Sequence, residues 1–285
     1  MNKKVAFITI HGMGDTPPEY YEEIQKELKS RLGDKFSDLH FGHVYYQKIL
    51  QENEKTVWLK VAKRLKWDLL RKFILYGFAD AAGLESGKES VNSVYSQAQA
   101  CIAIELMAAR NAMGGDGPVI ILAHSLGCQV ASCYFWDAMQ YVENKNPKVG
   151  IWQSEITLKN AVNGGNILSE DEIHFLKGET LKFLYTTGCN IPIFVAAHAT
   201  KDILPAKPNK NFQWHNFYDK DDVLGWPLAE LSTEYEEVVK DHAVNAGGGI
   251  IGWILKSWNP ISHGQYWGDD EILDPLENNL RQLLG

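Results

Sequence analysis

The sequence predicts an α/β fold built on a mostly parallel sheet flanked by helices. The strongest sign is Val119-Ile120-Ile121-Leu122-Ala123, five apolar residues of which three are β-branched. Such a run reads as a strand buried on both faces, the condition of a strand inside a parallel sheet. A second sign is Val5–Ile10, an apolar run that ends in a glycine turn and suits a first core strand. The third is order. Strand-like segments at Leu39–Tyr46, Leu181–Thr187 and Phe212–Tyr218 are separated by helix-length stretches, the alternation from which parallel sheets are built.

Composition sets the bounds. A chain of 285 residues can bury one large core, and residues 1–285 are read as one domain with helical insertions. The stretches 47–117 and about 144–180 are the candidates for a cap or lid. Hydrophobic content of 45% and charged content of 22% are ordinary for a soluble globular protein. A net charge of −8 argues against a general nucleic-acid binder. Cys101, Cys128, Cys133 and Cys189 lie in apolar segments without metal-type spacing, so they read as buried thiols in a reducing compartment. Met1-Asn2-Lys3-Lys4 leads into a core strand rather than an export signal, and no run has the length of a membrane span. The expected localisation is cytoplasmic.

In chain order, Asp15 or Thr16 is expected to cap the helix after the first strand, with Pro17 and Pro18 in its first turn and Gly33 past its end. Tyr21, Ile24, Leu28 and Leu32 share one face of it. His40 and His43 fall on opposite faces of the second strand and make no metal pair. From Lys55 to Lys72, seven basic residues interleave with Trp58, Trp67, Leu69, Leu70, Phe73 and Ile74 against one acid, Asp68. A crossover helix with a solvated face and an apolar side on the sheet is preferred over a basic amphipathic cap that meets a membrane surface. Phe78–Ser90 reads as a loop near the site mouth and Val91–Met113 as a helix. Asn163-Gly164-Gly165-Asn166 is a turn, and Ser169-x-x-Glu172 a capping box. Glu234–Asn245 fits helix or strand, and Asp270–Leu284 is the last helix.

The chemistry gathers after the buried strand. Ala123-His124-Ser125-Leu126-Gly127 turns sharply into the helix-length segment Cys128–Glu143. A serine between two small residues at a strand-to-helix turn is a nucleophile elbow, with small residues where strand and helix pass closely and the hydroxyl pushed out of the turn. Here the chain resembles the α/β-hydrolase superfamily, its lipases and esterases in particular, with Ala123 where the family motif has glycine. The implied fold is an α/β-hydrolase sheet shortened at its N-terminus, because no room precedes Val5 for the family's earlier strands.

Three further motifs carry the resemblance. His11-Gly12-Met13-Gly14 after the first strand resembles the oxyanion loop, which would place the N–H groups of Met13 and Leu126 as oxyanion donors. His11, Gly12 and His124 are read as substrate-binding. Asp219-Lys220-Asp221-Asp222-Val223 stands where the family carries its triad acid, and Asp222 is preferred to Asp221 and Asp219 because an apolar return anchors it. Pro260-Ile261-Ser262-His263-Gly264-Gln265-Tyr266-Trp267 resembles the family's Ser-His-x-x-Tyr-Trp stretch and makes His263 the base, in preference to His242. The order Ser, Asp, His is that of the α/β-hydrolases. Gly247-Gly248-Gly249-Ile250-Ile251-Gly252 fits a dinucleotide fingerprint literally but lacks its strand and long helix.

The expectation is an ester hydrolase working through an acyl-enzyme, with a small-molecule ester or acyl substrate, no nucleic-acid partner, no cofactor and no metal. The same triad would serve an acyltransferase, thioesterase or amidase, and the fold can also persist as a binding module without chemistry.

Overall fold

The computed structural model describes residues 2–62, 66, 68–145, 148–197, 203–245 and 266–285. Its strands are β1 (Val5–Ile10), β2 (Leu39–Val44), β3 (Val119–His124), β4 (Leu181–Thr187), β5 (Gln213–Asp219) and β6 (Val239–Val244). They form one sheet in the order β2-β1-β3-β4-β5-β6, every neighbouring pair parallel. This is the parallel α/β sheet that the sequence predicts, with β1 and β3 side by side within it.

Strand period two divides the core. Ala6, Ile8, Ile10, Val119, Ile121 and Ala123 face one layer, whereas Val5, Phe7, Ile120 and Leu122 face the other. The first layer holds α4 (Val94–Met113) and α5 (Leu126–Val142). The second holds α1 (Glu22–Leu32) and α10 (Asp270–Leu284), whose Ile24, Leu28, Leu32, Ile272, Leu276 and Leu280 close over the sheet. Arg31 fastens those two helices to each other, donating to Asp274 at 2.7 Å and pairing with Asp270.

Local signals set several boundaries. Leu181–Thr187 and Asp270–Leu284 form as the sequence predicts, and Ser169 and Glu172 complete the capping box of α7 (Glu170–Leu176). Gly164, in the left-handed region at φ 56°, ends α6 (Glu155–Asn163). Beyond α8 (Ile191–Ala197), the segment expected to be helix or strand is both, α9 (Thr233–Val238) running into β6.

Three expectations are corrected. Asp15 and Thr16 do not cap α1, which starts at Glu22 after a turn over 18–21. The Lys55–Lys72 stretch is not one crossover helix on the sheet. It is divided between α2 (Gln47–Val61) and α3 (Asp68–Glu85), which pack chiefly on each other and on α4. The true crossover is α4, which lies on β1 and β2. Phe78–Ser90 is not all loop, because α3 runs on through Glu85, with Gly77 tolerated where the helix passes against Met13. Leu59 and Phe78 stand 72% and 75% exposed on this α2–α3 pair. The stretch from Gly150 to Leu176 packs on α4 and α5.

Among the described glycines, Gly127 makes the closest approach to backbone. A Cβ there would lie 2.3 Å from the His11 carbonyl oxygen and 2.9 Å from that of Ile10, so backbone rather than a flexible side chain would have to yield. Gly127→Ala should cost about 2–3 kcal/mol through overpacking, a fall of roughly 4–10 °C in Tm for a chain of this size. Gly268→Ala, with only Glu23 at 3.9 Å, should melt like the wild type. Thermal unfolding of the two variants makes the comparison.

Candidate active site

The site forms where β1 and β3 leave the sheet, since the chain goes from β1 to one neighbour and from β3 to the other. Ligands of open α/β sheets bind in the crevice at such a switch point, beyond the carboxyl ends of the strands. Ser125 sits there at φ 50° and ψ −122°, between β3 and the first turn of α5. A non-glycine residue holds such a conformation only when its surroundings over-determine it. They do here. The Ser125 N–H donates to the Thr187 carbonyl at 2.9 Å, and the Ser125 carbonyl accepts from the Cys128 N–H at 2.9 Å. The side chain is 0% exposed, and its Oγ has no hydrogen-bond partner among the described residues. An unpartnered buried hydroxyl costs about 1–3 kcal/mol, and a reactive role is one recognised reason for keeping one.

Opposite Ser125 runs the loop after β1. A Cβ on Gly12 would fall 2.8 Å from that of Ser125 and 3.1 Å from the His124 ring. The loop backbone therefore lies directly against the serine, a closeness that only glycine permits. His11 does not line this crevice. Its Nδ1–H donates to the Gly12 carbonyl at 2.7 Å, its Nε2 accepts from the Tyr46 N–H at 3.1 Å, and its ring stacks on Tyr46 at 4.1 Å. Both ring nitrogens are committed to the protein, so His11 positions the loop rather than a ligand. Burial holds its pKa down at about 4, against the pull of the Gly12 carbonyl. The neutral ring thus supports the fold above pH 6.5, and that support fades as pH falls toward 4.

Thr187, at the end of β4, gathers the other side. Its Oγ1 accepts from the Trp267 indole N–H at 3.2 Å, donates to the Ala123 carbonyl at 3.3 Å and lies 3.1 Å from Nδ1 of His124. Tyr266 and Trp267 pack their rings against His124 at 5.8 and 6.0 Å. Neither Thr187 nor Tyr266 was assigned a role from the sequence. Tyr266 at least had a signal, its place in the Ser-His-x-x-Tyr-Trp stretch.

The three aspartates after β5 separate by burial. Asp221 is exposed, and Asp219, though buried, spends Oδ1 on the Asp221 N–H at 2.9 Å. Asp222 is 8% exposed, accepts from the Leu224 N–H at 2.9 Å and receives the Tyr266 hydroxyl proton at 2.8 Å. The same hydroxyl oxygen accepts from the Asp219 N–H at 3.0 Å. Burial and the Asp222 carboxylate together push the Tyr266 phenol well above its usual value, so it stays a donor. A contact path thus runs from Asp222 through Tyr266 and His124 to Ser125.

His263 and the glycine run 247–252 lie outside the described residues. His242 is half-buried on β6, with Nε2 3.0 Å from Nδ1 of His215, and its ring stacks on Phe217. That is a packed histidine. Among the described residues, no cluster of three or more His, Cys, Asp or Glu could hold a metal, and no helix is long and apolar enough to cross a membrane. The four cysteines are free thiols.

No family profile matches the chain, and no curated protein does. A solved structure from Xanthomonas campestris pv. campestris, described as a candidate hydrolase of the α/β superfamily, is similar to it over 95% of this chain and 98% of its own. The identity is 13% and the TM-score 0.37. The functional reading therefore stands on the residues themselves.

Tyr266→Phe should keep the ring packing while removing one donor from Asp222 and the acceptor from the Asp219 N–H. A loss of about 1–3 kcal/mol is expected, seen as a lower urea midpoint at an unchanged m-value.

Proposed function

We propose that this protein is a serine hydrolase of carboxylic esters. The observation that carries the reading is Ser125 itself: a serine at positive φ on a strand-to-helix turn, its buried Oγ unpartnered among the described residues, packed against the Gly12 backbone. Ser125 attacks the ester carbonyl. His263 takes its proton and returns it to the leaving alcohol, Asp222 orients the imidazole, and water then resolves the acyl-enzyme. The N–H groups of Met13 and Leu126 hold the oxyanion, the first from the loop after β1 and the second from the first residue of α5. Asp222 suits its role because it is buried and braced by Tyr266, which lies three residues after His263 in the chain.

The test is hydrolysis of nitrophenyl esters of increasing acyl length, together with fluorophosphonate labelling. Ser125→Ala should abolish both in a folded protein, and a labelled mutant would refute the nucleophile. Asp222→Asn should lose as much as about ten-thousandfold in kcat, while Asp221→Asn stays near wild type. His263→Ala should be inactive and His242→Ala largely active. Product analysis with a competing alcohol tells hydrolysis from acyl transfer.

A further inference from the structure

One face of α3 follows the loop after β1 residue by residue. Gly77 abuts Met13, where an added Cβ would lie 2.5 Å from the Met13 sulfur. Asp80 accepts a hydrogen bond from the Gly14 N–H at 3.0 Å. Lys72 pairs with Asp15 at 2.6 Å. Lys72 and Asp80 are two helical turns apart and Gly77 lies between them, so one stripe of the helix meets three consecutive loop residues. The Lys72–Asp15 pair is partly exposed and contributes little. The Asp80 contact is of another kind. Asp80 is 0% exposed, far from any favourable place for a carboxylate, and the backbone N–H it holds belongs to the residue after Met13.

We infer that Asp80 is a positioning residue for the oxyanion loop, through which the α2–α3 insertion sets where the Met13 N–H points. The inference rests on the hydrolase reading of Ser125 and extends it to a residue that never touches substrate. Within the loop itself the Thr16 N–H donates to the Gly14 carbonyl at 2.8 Å, but no helix or strand holds the loop. No helix begins until Glu22, and Gly14 sits at φ 93° with open space where a side chain would be. The loop borrows its rigidity from α3.

Glu54 of α2 makes the arrangement sensitive to pH. It is buried beside Asp80, and burial together with the Asp80 carboxylate pushes its pKa up to about 9. Asp80 rises to about 6 for the same reason of burial, restrained by the Glu54 carboxyl and by the Gly14 N–H. Near neutrality the pair therefore retains a proton between its two carboxyl groups. The groups around the pair are Gln47 from α2, Tyr46 before it, Tyr76 and Lys72 from α3, and Asp15 from the loop. A folded-state pKa above the unfolded one means that the contribution of Glu54 is full below about pH 4.5 and lost as pH rises through about 9. Above that, two buried carboxylates repel, and α3 loosens from α2 and from the loop.

Asp80→Leu, which keeps the shape and removes the acceptor, is expected to lower kcat by about ten- to hundredfold with KM little changed, because the donor it positions acts on the transition state. Asp80→Asn retains an acceptor oxygen and should recover most of that loss. Amide exchange in a peptide covering residues 11–17 should quicken by about tenfold in Asp80→Leu and not in Asp80→Asn. Glu54→Gln should match wild-type kcat at pH 7 yet lack its alkaline decline between pH 8 and 10. A folded Asp80→Leu with kcat within threefold of wild type and unchanged exchange would overturn the inference. Should Asp80→Leu not fold, a folded Asp80→Ala with kcat within threefold of wild type and unchanged exchange across residues 11–17 would overturn it equally. Absence of ester hydrolysis and of Ser125 labelling in the wild type would instead refute the hydrolase reading, and the exchange comparison would still report on Asp80 and the loop.

Discussion

The passage of β1 beneath the first turn of α5 is the contact on which the site depends. Two glycines make it: Gly127 lets the helix backbone reach the carbonyls of Ile10 and His11, and Gly12 lets the loop reach Ser125. Once those approaches are fixed, the chain between Ala123 and Gly127 has little freedom left. It must reverse from strand to helix within a residue or two, and Ser125 absorbs the reversal at φ 50°. Backbone in that region costs of order 1–3 kcal/mol. The cost is borne by a parallel sheet packed on both faces, where Ala6, Ile8 and Ile10 meet one helical layer and Val5 and Phe7 the other.

The far wall of the site follows from a second economy, the sharing of polar partners. Thr187 serves Ala123, Trp267 and His124 through one hydroxyl, while its carbonyl takes the Ser125 N–H. Tyr266 likewise joins Asp219 to Asp222 through one oxygen. Buried polar groups in such networks hold one another in place because each loses much if its partner moves. The C-terminal segment 266–268 is thereby attached to the ends of β3, β4 and β5 before α10 begins.

What could be read from the sequence was whatever neighbouring residues decide among themselves. The apolar runs at β1 and β3, the capping box at Ser169 and the amphipathic stripe of α10 carry their own evidence, and the elbow motif is five residues long. Asp222 is buried where Asp221 is exposed, but Val223 stands 80% exposed, so Tyr266 holds that carboxylate inward rather than the apolar return the sequence suggested. The errors fall where distant parts of the chain decide. Asp15 was an attractive helix cap, but it is engaged with Lys72 in the loop, and the helix waits until Glu22. Residues 78–85 look like loop because Gly77 and Gly83 interrupt them, yet Gly77 is the place where the helix makes room for Met13. His11 resembles a ligand-binding histidine until Tyr46, 35 residues on, occupies Nε2. The Gly14–Asp80 bond spans 66 residues and no spacing rule could announce it.

The two halves of the site are held by different means. Ser125 and Leu126 belong to a turn bonded into β4 on one side and into α5 on the other, so their backbone is fixed by secondary structure that would exist without any insertion. The loop from His11 to Tyr21 has no such support. It leaves the sheet and crosses to α1 over a stretch without helix or strand. Three of its anchors come from outside it, His11 held by Tyr46, Thr16 by the hydroxyl of Tyr45 at 3.0 Å, and Gly14 by Asp80. Two of those anchors lie just before α2 and the third lies in α3. An insertion that packs chiefly on itself and on α4, leaving Leu59 and Phe78 in solvent, adds little to the core. Its structural consequence is concentrated instead on the half of the crevice that no helix or strand holds, through the Asp80 bond to Gly14.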